Sequence, residues 1–136
     1  MWGKINMIKQ IKSSEIEYYI KENSNVVLLD VRTENEWITS GKPNAEDLNS
    51  KTYFVTVSPD LSNWQVPDPN FVENGKKYIN KDKTILVMCA AGGRSLIAAN
   101  LLEAEGYSTL NVSDGFSGNG QDPGWKNLGL PSVINN

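Results

Sequence analysis

The sequence predicts an α/β protein built on a parallel sheet of about five strands with helices on both faces. Two observations lead to this prediction. Apolar runs without alternation, such as VVLLD at 26–30 and TILVMC at 84–89, are typical of strands that are buried on both faces. Segments with helical spacing lie between these runs, and strands that alternate with helices form parallel sheets joined by helical crossovers.

The strands and helices can be placed from local signals. The predicted strands are the runs at 4–11, 26–30, 53–57, 84–89 and 108–113. Ser14–Glu17 and Thr33–Glu36 have the spacing of capping boxes and each predict a helix start. Asp68 as N-cap with Pro69 at the first helical position predicts a third helix. A fourth helix is predicted at 95–105.

Helix ends are marked by residues that tolerate a left-handed backbone. The first helix is expected to end between Asn23 and Asn25, and the other three at Gly41, near Gly75 and at Gly106. The segment after 113 reads as a loop with one short helical turn after Pro123. The proline-bearing connection at 58–70 is long enough to reach over a site, although most such loops only connect elements.

Composition excludes several classes of function. The chain has 136 residues, 39% of them hydrophobic, and a net charge of −3, as expected for one globular domain spanning 1–136 with a core from about 14 to 131. No basic stretch could replace the counterions of a nucleic acid. The apolar runs are shorter than the roughly 20 residues that a membrane helix needs. The N-terminus has no signal-peptide pattern, so we expect a cytoplasmic protein.

The chain contains one cysteine, Cys89, and no histidine. It therefore offers neither an intrachain disulfide nor a Cys–His or Ser–His–Asp arrangement. A single thiolate with carboxylates is a poor zinc site, so we expect no metal and no cofactor. If Cys89 is a nucleophile, groups other than histidine must activate it.

Cys89 opens the stretch CAAGGR, residues 89–94, at the junction of a strand and a helix. The first amides of a helix lack intrahelical acceptors and carry a partial positive charge. Small residues let the backbone curl so that several N–H groups point inward and favour a thiolate. Cys89 is therefore a candidate nucleophile. The candidate substrate-binding residues are Ala90, Ala91, Gly92, Gly93, Arg94 and Ser95.

A lone cysteine at the end of an apolar strand is also consistent with a small buried core residue. The combination of cysteine, four small residues, arginine and a helix is more specific than any of its parts. With LLDVRTENEW before it, and DGF and GWKNLGLP after it, CAAGGRS resembles the active-site loop of the rhodanese (sulfurtransferase) family in its single-domain form. The resemblance extends from about residue 14 to 131.

The resemblance implies a rhodanese-like fold and a thiosulfate:cyanide sulfurtransferase type of chemistry. Cys89 would take the outer sulfur of a small anionic donor, such as thiosulfate or another persulfide, and hold it as a persulfide. Cyanide, a thiol or a protein would then accept it. Related phosphatases have a loop one residue longer, which fits a tetrahedral oxyanion, so the six residues here favour sulfur over phosphate.

The sequence also departs from the family pattern. Ala90 stands where many thiosulfate-using members carry a basic residue, and GKPNAEDL at 41–48 replaces a histidine-containing segment. The alternative function is therefore a sulfur-carrier or protein-interaction module with little thiosulfate activity of its own. The sequence does not identify the donor, the acceptor, the pathway or the oligomeric state.

Asp30 and Arg32 follow a buried strand, and a structural role is expected for both. Arg32 would form an ion pair with Glu36, and Asp30 would cap a turn. Four aromatic residues in or near loops are expected mainly to pack, although they could line an apolar pocket; they are Trp37, Trp64, Phe116 and Trp125.

Overall fold

The computed structural model describes residues 7–134. Its regular elements in chain order are β1 (Lys9–Ile11), α1 (Ser13–Glu22), β2 (Val26–Asp30), α2 (Glu34–Ser40), β3 (Lys42–Pro43), β4 (Thr52–Phe54), α3 (Phe71–Lys76), β5 (Thr84–Met88), α4 (Gly93–Ala104), β6 (Ser108–Val112) and β7 (Ser132–Val133). Two short 3-10 helices occupy Ala45–Leu48 and Leu61–Asn63. The five main strands pair in parallel in the order β1-β6-β5-β2-β4, which confirms the predicted fold class.

The sheet separates two hydrophobic cores, because successive side chains of a strand point to opposite faces. On one face, Ile85 and Val87 of β5 pack with α3 and α4. On the other, Leu86 and Met88 pack with α1 and with the segment that follows β6. Cys89 continues the alternation of Ile85 and Val87, so its side chain lies on the α4 side.

Several element boundaries differ from the sequence prediction. α1 begins at Ser13, with Lys12 at the N-cap position. The side chain of Glu15 accepts a hydrogen bond from the Lys12 amide at 2.8 Å, so the box expected at Ser14–Glu17 is wrong by two residues. The capping box of α2 is confirmed, since Thr33 and Glu36 each bond the other's backbone amide.

The third predicted helix also starts later than expected. Asp68 is not its N-cap; its carboxylate instead accepts from the Asn70 amide at 2.8 Å in a tight turn, and α3 begins at Phe71. β1 is shorter than the predicted run, of which residues 4–6 lie outside the described residues. β4 ends at Phe54, although the Val55 amide still donates to Asp30, the last residue of β2, and the Val57 amide donates to the Val31 carbonyl just after it.

The sequence did not predict the small antiparallel sheet formed by β3 and β7. It brings the C-terminal segment beside the end of α2, where Lys126 also donates to the Ser40 carbonyl at 3.0 Å. The segment before β7 is a series of turns that includes one Leu128-to-Gly124 backbone bond. Between residues 7 and 134, no helix has both the length and the apolar character that crossing a membrane requires.

Candidate functional site

Cys89 lies directly after β5, the central strand, and the loop that it opens leads into α4. Gly92 is the N-cap residue of α4 and has φ of +105°, a conformation that L side chains rarely adopt. In this conformation the Gly92 amide donates to the Cys89 Sγ at 3.1 Å. The glycine thus allows the tight curl that aims a backbone donor at the sulfur.

The outer side of the loop is fastened to the segment after β6. The Cys89 carbonyl accepts from the Phe116 amide at 2.8 Å, and the Ala90 carbonyl accepts from the Ser117 amide at 2.9 Å. No described peptide bond is cis, so the N–H of each following residue points away from its carbonyl. The amides of Ala90 and Ala91 therefore face away from this segment, and within residues 7–134 the structure gives them no acceptor.

The inner side of the loop contacts a polar network. Ser95, in the first turn of α4, is fully buried, and its Oγ lies 3.2 Å from the Cys89 Sγ. The same hydroxyl donates to Asn111 Oδ1 at 2.5 Å. Asn111 is oriented because its Nδ2 donates to the Gly92 carbonyl, which can only accept. The Ser95 hydroxyl thus has one hydrogen and two acceptors within reach, the amide oxygen and the sulfur.

Arg94 does not point a free charge at the cysteine. Its Nη1 and Nη2 donate to Glu36 Oε1 and Oε2 at 2.7 and 2.9 Å, a bidentate pair. Arg94 still lines the cavity beside Cys89. The pair also joins α2 to the loop, since Glu36 completes the capping box of α2.

The expected Arg32–Glu36 ion pair is wrong. Arg32 instead pairs with Asp30, with Nη2 to Oδ2 at 2.7 Å, and both side chains are almost fully buried. Asp30 Oδ1 also accepts from the Arg32 amide at 3.0 Å, which confirms the turn-capping role of Asp30. The guanidinium lies 4.2 Å from the centre of the Phe116 ring and donates to the Gly41 carbonyl. Arg32 pairs with Asp30 and not with Glu36 because the buried carboxylate of Asp30 needs a partner. Asp30 lies only two residues away in the same turn, so the guanidinium can reach it.

The Arg94–Glu36 pair is ionised at neutral pH. Burial raises the pKa of Glu36, but hydrogen bonds from Arg94 and Thr33 and the charge of Arg94 outweigh it and hold this pKa below its ordinary value. Burial lowers the pKa of Arg94, but the hydrogen bond and charge of Glu36 outweigh this effect and raise it. The two groups together contribute almost no net charge to the site.

A cavity of about 200 Å³ opens onto the loop, lined by Trp64, Cys89, Ala90, Ala91, Gly93 and Arg94. Cys89 is only 2% exposed, so reagents must reach it through this cavity. The Trp64 ring covers Gly93 so closely that a methyl group there would lie 3.4 Å from it. The Ser58 hydroxyl donates to the Trp64 carbonyl at 2.6 Å and helps to fasten the 58–70 segment over the site.

The aromatic residues separate into two groups. Phe116 and Trp125 are fully buried in the core, and Trp37 packs edge-on against Phe54 with ring centres 5.2 Å apart, as expected for packing residues. Trp64 is the exception, because it lines the cavity. For Trp64 the structure thus favours the alternative role of lining a pocket. The sequence did not predict the role of Asn111 or the pairing of Glu36 with Arg94, since these contacts join residues at least 16 positions apart.

Comparisons with known proteins agree with this architecture. The model of the family described as "Rhodanese-like domain" matches residues 15–120. An uncharacterized protein of Rickettsia prowazekii, RP600, is 38% identical over 128 residues, which cover 92% of this chain and 97% of that protein.

Two solved structures show the likeness in three dimensions. The crystal structure of Rv0390 from M. tuberculosis has a TM-score of 0.77 and 27% identity, covering 93% of this chain and 98% of that one. The polysulfide-sulfur transferase homodimer from Wolinella succinogenes shares the fold, with a TM-score of 0.64, 20% identity, and coverage of 93% and 79%. The family match, the sheet order and the position of the cysteine loop lead to one conclusion: this chain belongs to the rhodanese-like domain family.

Proposed function

We propose that this protein is a sulfurtransferase that carries a sulfane sulfur as a persulfide on Cys89. The single observation that best supports this proposal is the environment of the sulfur. Gly92 donates to it from the backbone, and the neighbouring amides of Ala90 and Ala91 have no described protein acceptor. An anionic group held at the start of α4 would satisfy these donors.

The proposed reaction has two displacement steps. The Cys89 thiolate attacks the outer sulfur of a donor, the S–S bond of the donor breaks, and the leaving group departs with the electron pair. Cys89 then carries the transferred sulfur as a persulfide. An acceptor nucleophile attacks this outer sulfur and regenerates the thiolate, so a single cysteine is enough for covalent ping-pong catalysis.

The loop residues have separate roles in this proposal. The amides of Ala90 and Ala91 bind the outer sulfur, the Gly92 amide donates to Sγ, and the Ser95 hydroxyl contacts Sγ. Gly93 begins α4 next to the Trp64 ring, and Arg94 fixes the loop to α2 through Glu36. The small cavity suits a sulfur atom and its substituent, with thiosulfate or another persulfide as donor and cyanide, a thiol or a protein as acceptor.

Intact-mass measurement tests the proposal directly. The protein is incubated with thiosulfate and, separately, with an organic persulfide, and the mass is measured before and after cyanide is added. We expect a gain of one sulfur atom that cyanide removes with release of thiocyanate. The Cys89→Ser variant must show no gain. A wild-type protein that gains no sulfur from any donor would refute the proposal.

The second candidate is a sulfur carrier that accepts its sulfur from a partner protein. The 58–70 segment favours it, because apolar side chains are exposed there beside the cavity: Leu61 is 46% exposed, Trp64 37% and Val66 56%. A carrier would gain sulfur from a desulfurase but not from either small donor. The same mass measurement, with a cysteine desulfurase and cysteine as the donor, separates the two candidates.

A further inference from the structure

The loop contributes no unbalanced positive side chain to the cavity. Arg94 lines the cavity, yet two of its nitrogens are bound by the two carboxylate oxygens of Glu36. The chain's other arginine, Arg32, follows β2 at the same carboxyl edge of the sheet and is paired with Asp30. The remaining lining residues apart from Cys89 are alanine, glycine and tryptophan.

The Glu36–Arg94 pair is shielded as well as close. The Glu36 side chain is 17% exposed and that of Arg94 is 10% exposed, so solvent screens the pair only in part. Glu36 is further fixed by the Thr33 hydroxyl, which donates to Oε1 at 3.0 Å. Because Glu36 is anchored from two sides, an incoming anion would have to compete with a preformed carboxylate for Arg94.

The two classes of sulfur donor differ in what this cavity must accommodate. Thiosulfate carries two negative charges, and bringing it from water to a small site without an unpaired cation is costly. An organic persulfide carries at most one charge on its sulfur, and its carbon substituent can lie against the Trp64 ring. The lining therefore favours the persulfide.

We propose that Glu36 is a specificity-determining residue, which balances Arg94 and thereby selects organic persulfides over thiosulfate as sulfur donors. The inference rests on the proposed function. In the favoured reaction the Cys89 thiolate attacks the outer sulfur of R–S–SH and the S–S bond breaks. R–S⁻ leaves with the electron pair, and the outer sulfur keeps its hydrogen in the new Cys89 persulfide.

The test uses Glu36→Gln, which keeps the shape of the side chain, an oxygen for Arg94 and an acceptor for the α2 cap. Glu34→Gln is the matched control, because Glu34 lies in the same first turn of α2, is exposed and loses the same charge. The rate of Cys89 persulfidation is measured by mass with thiosulfate and with benzyl persulfide, which has a neutral substituent. The change in the ratio of the two rates is the readout, since the donors differ in intrinsic reactivity.

We expect Glu36→Gln to raise the thiosulfate rate at least about tenfold, which corresponds to about 1.4 kcal/mol of barrier. The benzyl persulfide rate should stay within about twofold, and Glu34→Gln should change neither rate by more than that. A folded Glu36→Gln protein with an unchanged or lower thiosulfate rate would overturn the inference. The proposed function would survive that result as long as benzyl persulfide still loads Cys89, whereas failure with both donors would refute the function itself.

A second variant keeps the test decisive if Glu36→Gln does not fold. Ala90→Lys adds a cation at a residue that lines the cavity and leaves the Glu36–Arg94 pair in place. If the lack of an unpaired cation limits thiosulfate, this variant must also raise the thiosulfate rate relative to the benzyl persulfide rate. An unchanged ratio in a folded Ala90→Lys protein would overturn the inference.

Discussion

Replacing Gly92 with alanine should disable the loop, whereas the same change at Gly93 should be tolerated. The two glycines are adjacent, and each substitution adds one methyl group. Gly92 has φ of +105°, and its added Cβ would overlap the Ser113 carbonyl oxygen and lie 3.1 Å from the carbonyl carbon. The Gly93 backbone has no positive φ, and its added Cβ would meet only the Trp64 ring at ordinary contact distance.

The size of the effect follows from these contacts. A non-glycine residue at positive φ costs about 1–2 kcal/mol, and overpacking against backbone that cannot move freely adds about 1–3 kcal/mol. Gly92→Ala should therefore lower the free energy of unfolding by about 2–5 kcal/mol, a large part of the 5–15 kcal/mol that is typical of a domain. Gly93→Ala should change it by less than about 1 kcal/mol, because alanine is the better helix former.

Urea unfolding followed by circular dichroism measures the stability difference, and intact mass after incubation with a sulfur donor measures persulfide formation. If the loop relaxes to relieve the overlap, the Gly92 amide leaves the sulfur, so Gly92→Ala should also form persulfide at least about tenfold more slowly. Gly93→Ala should keep both properties. Equal stability and equal persulfide formation in the two variants would refute the steric reasoning for Gly92.

Three further outcomes are expected. Ser95→Ala removes a hydroxyl that contacts the Cys89 sulfur, so persulfide formation should slow by about tenfold, and Ser95→Thr should recover most of the rate; equal rates in single-turnover assays would contradict this role. Arg32→Met leaves the buried charge of Asp30 without its partner and should lower the free energy of unfolding in urea by about 3–5 kcal/mol; a loss below about 1 kcal/mol would argue against the pair. The pKa of Glu36 is lowered in the folded protein, so its contribution to stability is present above the ordinary value of 4.5 and is lost as pH falls through the folded pKa. The stability gap between wild type and Glu36→Gln should therefore be largest at neutral pH and shrink as the pH falls below 4.5; a gap that persists in acid would show that ionisation of Glu36, with its pairing to Arg94, is not its cause.

Much of the fold could be read from the sequence because its signals are local. Apolar runs without alternation fixed the positions of β2 and β5, and the Thr33–Glu36 spacing located the start of α2. The junction of β5 and α4 placed Cys89 at the carboxyl edge of the sheet. The boundaries that moved, at Ser14 and Asp68, are places where a tertiary or turn contact competes with a helix cap. Ser13, for example, donates from its backbone to the buried Asp114 at 2.9 Å.

The ion-pair partners of the charged residues at the site could not be predicted from local sequence signals. Arg32 stands four residues before Glu36, a spacing that favours a local pair, while Arg94 is 58 positions away from Glu36. The local pair fails because Asp30, fully buried, holds Arg32 within the turn and leaves Glu36 to the loop. Which carboxylate pairs with which arginine depends on which of the charges is buried, and burial is a property of the packed sheet.

The sequence by itself determined that this protein has one thiol, no histidine, and a six-residue loop between a buried strand and a helix. These facts define the candidate nucleophile and the elements on either side of it, because they depend only on composition and local spacing. The tertiary structure alone decided how that thiol is surrounded. It brought Ser95 against the sulfur and Asn111 against Ser95, the Trp64 ring over Gly93, and Glu36 onto Arg94. Long-range packing balanced the charge of the arginine in the loop, and we therefore propose that this balance, with the cysteine, sets which sulfur donors the site accepts.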